Sequence, residues 1–399
     1  MTYISVAITI FAILLGLIKT NSRVLSIVLL CLLYLFFAFE NTDLPESDYN
    51  KYIDHYEAIG NGIITPHEPL FHIVCQVGNY FEVSFNFMRG IVCVVEVFII
   101  YGIIRRYTEN IALVLTLFIV YPALFDAELF RWLMGMSIVL FAFPYLIEAK
   151  SRKDYLKFFI LVLLATMGHV SCFVFLIYLL LAINSKKKLT YIVLFIILMG
   201  FVLFKVNVVY SLMNYFIIND DINDKYQTGE FSNIFGVLSY TAKLSLVFLI
   251  CIISLSGEKI RIGSNFIEKR NESNDNERSI ISKADNHKPG VHQRQFRAQI
   301  LMDKILCINI ISFILVVLSV YTSQVLRLMQ VVLFFNYIVL AVSCEYNIKD
   351  ASRKICLALF PIVLLLLNTL FLESEGTLPV YVGHFTNGYI VNLFNTLFI

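Results

Sequence analysis

The chain has 399 residues, 59% of them hydrophobic and 15% charged, with a net charge of +2 and a mean hydropathy of +0.78. Soluble chains of this length carry about 25% charged and about 45–50% apolar residues. The composition excludes a soluble enzyme, a nucleic-acid binder and a disordered scaffold, and it predicts an all-α, polytopic integral membrane protein.

A spanning helix needs about 20 mostly apolar residues. In chain order, such runs cover 2–18, 24–39, 86–104, 110–126, 131–149, 189–205, 234–255, 303–321, 324–346 and 354–372. The first run lacks a basic leader and a small-residue cleavage site, so it is read as retained. Between the second and third runs lies a loop, 40–82, that is acidic over its first part. It ends in PLFHIVCQVGNYF (69–81), too short to span, which predicts an interfacial or re-entrant helix.

The stretch 155–183 is long for one span and carries Gly168 and His169 at its middle. Lys150, Arg152, Lys153 and Lys157 precede it, and Lys186, Lys187 and Lys188 follow. Positive charge marks the cytoplasmic side. Both ends then lie inside, and the stretch reads as two short spans turning at Gly168-His169. The total becomes about 12 spans with both termini outside, which puts 24 of the 31 Lys and Arg in inner loops. One such loop, 256–302, is polar and reads as a flexible cytoplasmic linker. Residues 1–399 form one membrane domain without an internal repeat. The eight cysteines are scattered through the apolar runs and show no metal spacing, so they read as small core residues and no metal is expected.

The basic residues outside the inner loops are the exceptions that need a reason: Lys51, Arg89, Arg131, Lys205, Lys225, Lys243 and Arg327. Arg131 follows Asp126 and Glu128 and could pair with them. Arg327 has no acidic residue within ten positions, and charge inside a membrane is expensive and usually functional. Two guanidiniums on one face suit a diphosphate, since their forks match phosphate oxygens. Arg89 and Glu96 share a helical face with Cys93, which favours a partnership inside the bundle. Lys243 adds a polar patch with Ser239, Tyr240 and Thr241.

In the acidic loop, Asp48, Tyr52 and Tyr56 share one helical face, next to Tyr49. Such a face suits a sugar ring, or it belongs to an aromatic belt at the membrane surface. His67-Glu68-Pro69 opens the short helix, with Pro69 suited to its first position. His169 could accept a proton from an alcohol or bond a backbone group at its turn. No ATP-binding or hydrolase signature occurs, so energy comes from an activated substrate, from a gradient, or is not needed.

Taken in order, SDYNKYIDHY (47–56), HEPLF (67–71), ELFRWLMGMSIVLFAF (128–143), LATMGHVSCFVF (164–175) and SQVLRLMQVVLFFNYIVL (323–340) resemble the EpsG family of Wzy-like bacterial polysaccharide polymerases. That resemblance implies a glycosyltransferase that joins oligosaccharide repeat units carried on undecaprenyl diphosphate into O-antigen, capsule or exopolysaccharide. It further implies a multi-pass protein of the bacterial cytoplasmic (inner) membrane with its site facing the periplasm. No cofactor and no nucleic acid is involved, and a chain-length regulator and a flippase are the expected partners. On this reading Arg131 and Arg327 hold the diphosphate, and His169 or Glu68 takes the acceptor proton. Asp48, Tyr49, Tyr52 and Lys243 bind substrate. A lipid-linked oligosaccharide flippase is the alternative, followed by a polysaccharide O-acetyltransferase.

Overall fold

A computed structural model describes residues 21–38, 48–63, 68–123, 129–183, 185–205, 234–256, 289–319 and 325–346, with Leu15, Ile18 and Val363 besides. These residues form helices joined by short turns, and no strand occurs among them. The first four are α1 (Arg23–Ala38), α2 (Asp48–Gly60), α3 (Pro69–Tyr80) and α4 (Phe85–Tyr107). Next come α5 (Ile111–Phe118), closed by a wide turn at Ile119–Ala123, α6 (Phe130–Ile147) and α7 (Arg152–Gly168). A 3₁₀ segment, Val170–Ala182, precedes α8 (Lys186–Lys205) and α9 (Ile234–Ser256). The last three are α10 (Pro289–Ser312), α11 (Ile314–Ser319) and α12 (Val325–Tyr346).

Among the described residues, four helical stretches are long and apolar enough to cross a bilayer: Phe85–Tyr107, Phe130–Ile147, Gln293–Ser319 and Arg327–Glu345. Shorter apolar helices cover Arg23–Ala38, Ile111–Ala123, Val170–Ala182 and Tyr240–Ile253. The expected spans at 2–18 and 354–372 lie largely outside the described residues. Residues 289–302, placed by composition in the 256–302 linker, belong to α10.

Helix α12 is the hub. Every side chain from Leu328 to Ser343 is buried, and α5, α6, α9, α10 and the 3₁₀ segment all pack against it. A helix apolar on all sides belongs at the centre of a bundle. By contrast α4 exposes Phe87, Ile91, Val94, Val95 and Phe98, a stripe at helical spacing that faces hydrocarbon in a membrane protein.

Pro122 ends the α5 run, and the Tyr121 carbonyl is met by the Tyr337 hydroxyl of α12 at 2.9 Å. Between α10 and α12, Asn309 and Asn336 exchange amide hydrogen bonds of 3.0 and 3.1 Å in a buried setting. Both amides also donate to carbonyls one turn back on their own helices.

The 155–183 stretch turns where the sequence predicts. Helix α7 stops at Gly168, His169 is extended (φ −156°, ψ 125°), and the 3₁₀ segment packs back along α7. Phe143 of α6 touches Phe158 on one arm and Phe175 and Tyr178 on the other, at 5.8, 6.1 and 5.2 Å. The buried residues of the second arm are Cys172, Phe175, Tyr178 and Leu181, a spacing of three that only a 3₁₀ geometry lines up.

Far from that turn, Glu148 at the end of α6 receives both Arg106 Nε and Nη2 at 2.6 Å and the Tyr107 hydroxyl at 2.9 Å. Nearby, Glu345 Oε1 accepts from Thr108 Oγ1 at 2.5 Å and from the Glu109 and Asn110 amides. These bonds close the end of the bundle opposite the hairpin turn.

Replacing Asn336 with Leu strands the Asn309 amide in an apolar interior, so thermal unfolding in detergent should show a loss of about 1–3 kcal/mol. The Asn309→Leu/Asn336→Leu double variant should recover most of it. Equal loss in the single and double variants would refute the paired-amide account.

Candidate functional site

The site is built from α3 upward. Glu68 occupies the position before α3, and Pro69 takes the first helical place, where a missing N–H costs nothing. Glu68 makes no side-chain cap bond. Its carboxylate instead accepts from Arg131 Nη1 at 2.7 Å. Arg131 thus pairs across 63 positions of sequence, while Asp126 and Glu128, the partners that the sequence suggests, lie outside the described residues.

Helix α2 supports that pair from the side. The Arg131 guanidinium lies 5.5 Å from the centre of the Tyr52 ring. Tyr52 packs edge-on or tilted against Phe71 (5.7 Å) and Phe130 (6.2 Å), which also meet each other. Phe85 joins the cluster through Tyr49 and Phe130. Below it, Arg89 places its guanidinium 5.7 Å from the Tyr49 ring and 5.6 Å from Phe130, and donates from Nε to the Phe37 carbonyl at 2.9 Å. Arg89, Cys93 and Glu96 are all buried on α4, with Cys93 within hydrogen-bond reach of the other two.

His169 reaches the pair through a close approach of α6 and α7. A Cβ on Gly135 would stand 2.7 Å from Cys172 Sγ and 3.3 Å from the His169 Cβ, and one on Gly168 would meet the Gly135 backbone at 3.2 Å. Two glycines in register let the backbones nearly touch, so the His169 turn sits one helical turn from Arg131. The His169 Nδ1 accepts from the Ser171 amide at 3.3 Å. The ring of Trp132 stands edge-on to His169 at 5.6 Å. Trp132 Nε1 in turn donates to Gln330 Oε1 at 2.9 Å, tying α6 to α12 three residues beyond Arg327.

Glu68, Arg131, His169 and Arg327 thus come from four separate elements and lie within electrostatic reach of one another. Burial pushes the His169 imidazole down to about 4; Glu68 opposes this, while Arg327 and Arg131 add to it. Near neutral pH the ring is uncharged. His55 on α2, which sequence reasoning passed over, also faces Arg131 and is lowered by burial first and by that guanidinium second.

The remaining residues that the sequence singled out sit elsewhere. Asp48 forms a surface ion pair with Lys51 at 2.9 Å. Tyr49 is buried and donates to Asn86 Oδ1 at 2.5 Å, while Tyr56 is buried and donates to the Val83 carbonyl at 2.6 Å. Their rings and that of Tyr52 face other aromatic side chains and are not open to a sugar in this structure. Lys243 is wholly buried on α9, a turn from Tyr240, where α9 packs on α12. Among the described residues no cluster of three His, Cys, Asp or Glu could hold a metal ion.

Residues 24–374 match the EpsG family. The chain belongs to that family. Membership carries a polysaccharide-polymerase type of role and agrees with the apolar helices of a membrane protein. No curated protein and no solved structure matches the chain.

The unfolded imidazole binds its proton below about 6.5, and the folded one only near 4. The unfolded state therefore holds more protons within that window, and stability falls as pH drops through it. Thermal unfolding from pH 7 to pH 4.5 should show a steeper loss for the wild type than for His169→Gln. Parallel slopes would place His169 in a more solvated setting than described.

Proposed function

We propose that this EpsG-family chain is a glycosyltransferase that polymerises undecaprenyl-diphosphate-linked repeat units on the outer face of the cytoplasmic membrane. It would cross about 12 times, with the hairpin turn at Gly168-His169 on the outer side. The observation that carries the reading is the meeting of two arginines, a carboxylate and an uncharged imidazole at one end of the bundle. A transferase outside the cell has no ATP, so its donor must arrive already activated, and a diphosphate leaving group needs fixed positive charge where its own charge develops.

The donor is the growing glycan on its lipid diphosphate, and the acceptor is a hydroxyl of the newly delivered unit. The bond from the anomeric carbon to the diphosphate oxygen breaks, and a bond from that carbon to the acceptor oxygen forms. Arg131 and Arg327 hold the departing diphosphate. Sequence leaves His169 and Glu68 equal as bases, but local bonding favours Glu68. An imidazole whose Nδ1 accepts from an amide carries its single proton on Nε2, so His169 is set to donate. Glu68 is held by Arg131 until a diphosphate draws that guanidinium away. Arrival of the donor then releases the carboxylate to take the acceptor proton. The Tyr52 ring supports the Arg131 side chain as its guanidinium exchanges the carboxylate for the diphosphate.

A strain lacking the gene should show surface polysaccharide reduced to single repeat units, with the ladder restored on complementation. Loss of all repeats would point to a flippase, and an intact ladder of altered acetylation to a modifying enzyme. In the complemented strain Arg131→Ala and Arg327→Ala should abolish the ladder at normal membrane levels. Glu68→Gln should cost at least about 100-fold in rate, the range for a lost general base. His169→Gln, which keeps a donor, should retain more activity than His169→Ala. The opposite order, with Glu68→Gln active and both His169 variants inactive, would move the base to His169.

A further inference from the structure

A groove of about 860 Å³ opens at the other end of the bundle, between the first half of α1 and the last half of α4. Helix α4 runs about 34 Å from the aromatic cluster near Arg131 to this end, by its 23 residues at about 1.5 Å each. The groove is thus separate from the proposed transferase site. Its floor is apolar, with Ile27 and Leu30 on one wall and Phe98 on the other. Its mouth carries Arg23, Arg105 and Arg294, from the start of α1, the end of α4 and the first turns of α10.

Among the described lining residues these three guanidiniums meet one carboxylate, that of Glu109, which pairs with Arg294. Arg105 is held at the rim by Tyr101: Nη1 donates to its hydroxyl at 3.2 Å, and the guanidinium lies 5.9 Å from the ring centre. From Arg23 to Tyr34, and from Arg105 back to Val94, each wall runs twelve residues, whose eleven rises span about 16 Å. That is about half of a hydrocarbon core of about 30 Å, the depth of one leaflet.

We propose that this groove binds one anionic glycerophospholipid of the leaflet at that end. Its phosphate sits between Arg23 and Arg105, and one acyl chain runs along Ile27, Leu30 and Phe98. The match is one of charge and depth together. Guanidinium forks suit phosphate oxygens, and an apolar slot one leaflet deep beneath a cationic mouth suits a lipid better than a soluble anion. By the distribution of Lys and Arg along the chain, this leaflet is the cytoplasmic one.

The test is native mass spectrometry of the full-length purified protein with phosphatidylglycerol or phosphatidylcholine added at equal concentration. The wild type should retain phosphatidylglycerol about fivefold or more over phosphatidylcholine, and Arg23→Gln/Arg105→Gln should lose that preference. Leu30→Trp, which fills the slot and leaves the arginines in place, should lower retention of both lipids. The Trp variant decides the matter if the double variant fails to fold. Equal retention of the two lipids by the wild type would overturn the proposal, as would unchanged retention in the variants. Displacement of the lipid by millimolar inorganic phosphate would assign a free-anion site instead. Failure of the wild type to retain either lipid would overturn the proposal as well. None of these outcomes bears on the polymerase reading, which the polysaccharide ladder tests separately.

Discussion

A guanidinium at the end of a membrane helix has to be met by an anion, and at Arg131 that requirement organises one whole end of the protein. The anion is Glu68, supplied by the residue just before α3. Because Glu68 is fixed to Pro69 and a helix that cannot span, the ion pair draws α3 onto the bundle. Helix α3 then buries Phe71 and Cys75 against its neighbours and leaves Ile73, Val77 and Tyr80 outward. Helix α2 follows, since Asn79 of α3 donates to the Tyr56 carbonyl and Gly78 makes room for the Tyr56 hydroxyl. The acidic loop thereby becomes a cap of two helices with aromatic packing beneath it.

The same end shows how a bundle gathers polar groups without opening a large cavity. Each side chain of the candidate site is held by a different device. Arg131 has the pair with Glu68 and the Tyr52 ring, and His169 has a glycine contact and a backbone amide. Arg327 lies on the helix that Gln330 fastens to Trp132. The opposite end uses carboxylates on helix termini as buckles, Glu148 for α4 and Glu345 for the turn before α5. Between the two ends, α10 and α12 are joined by the neutral amide pair Asn309–Asn336, which needs no buried charge.

Much of this was legible in the sequence, for physical reasons. Apolar runs report spans directly, because lipid tolerates little else. Basic residues on both sides of 155–183, with glycine and histidine at its centre, located the hairpin turn. Proline after Glu68 fixed the start of α3, and Arg131 and Arg327 stood out as basic residues outside the inner loops. What stayed hidden depends on contacts between distant segments. A tyrosine face reads alike whether it meets sugar or phenylalanine, so the burial of Tyr49, Tyr52 and Tyr56 was not visible. Glu68, which pairs with Arg131, lies 63 residues away in sequence, too far for local spacing to reveal it. His55 and the Trp132–Gln330 bond left no pattern at all, although Trp132 is the one tryptophan in the chain and adjoins Arg131.

The 3₁₀ segment has a consequence of its own. At about 2.0 Å per residue its 13 residues extend about 26 Å, where an α-helix would cover about 20 Å. The extra reach lets 13 residues return along the whole 17-residue length of α7. It also makes the segment intolerant of changes in length. One inserted or deleted residue rotates everything beyond it by a third of a turn, carrying Phe175, Tyr178 and Leu181 off their common line and out of the interior. Diversity among relatives should therefore enter this stretch by substitution at the two outward positions of each triplet, with its number of residues held constant.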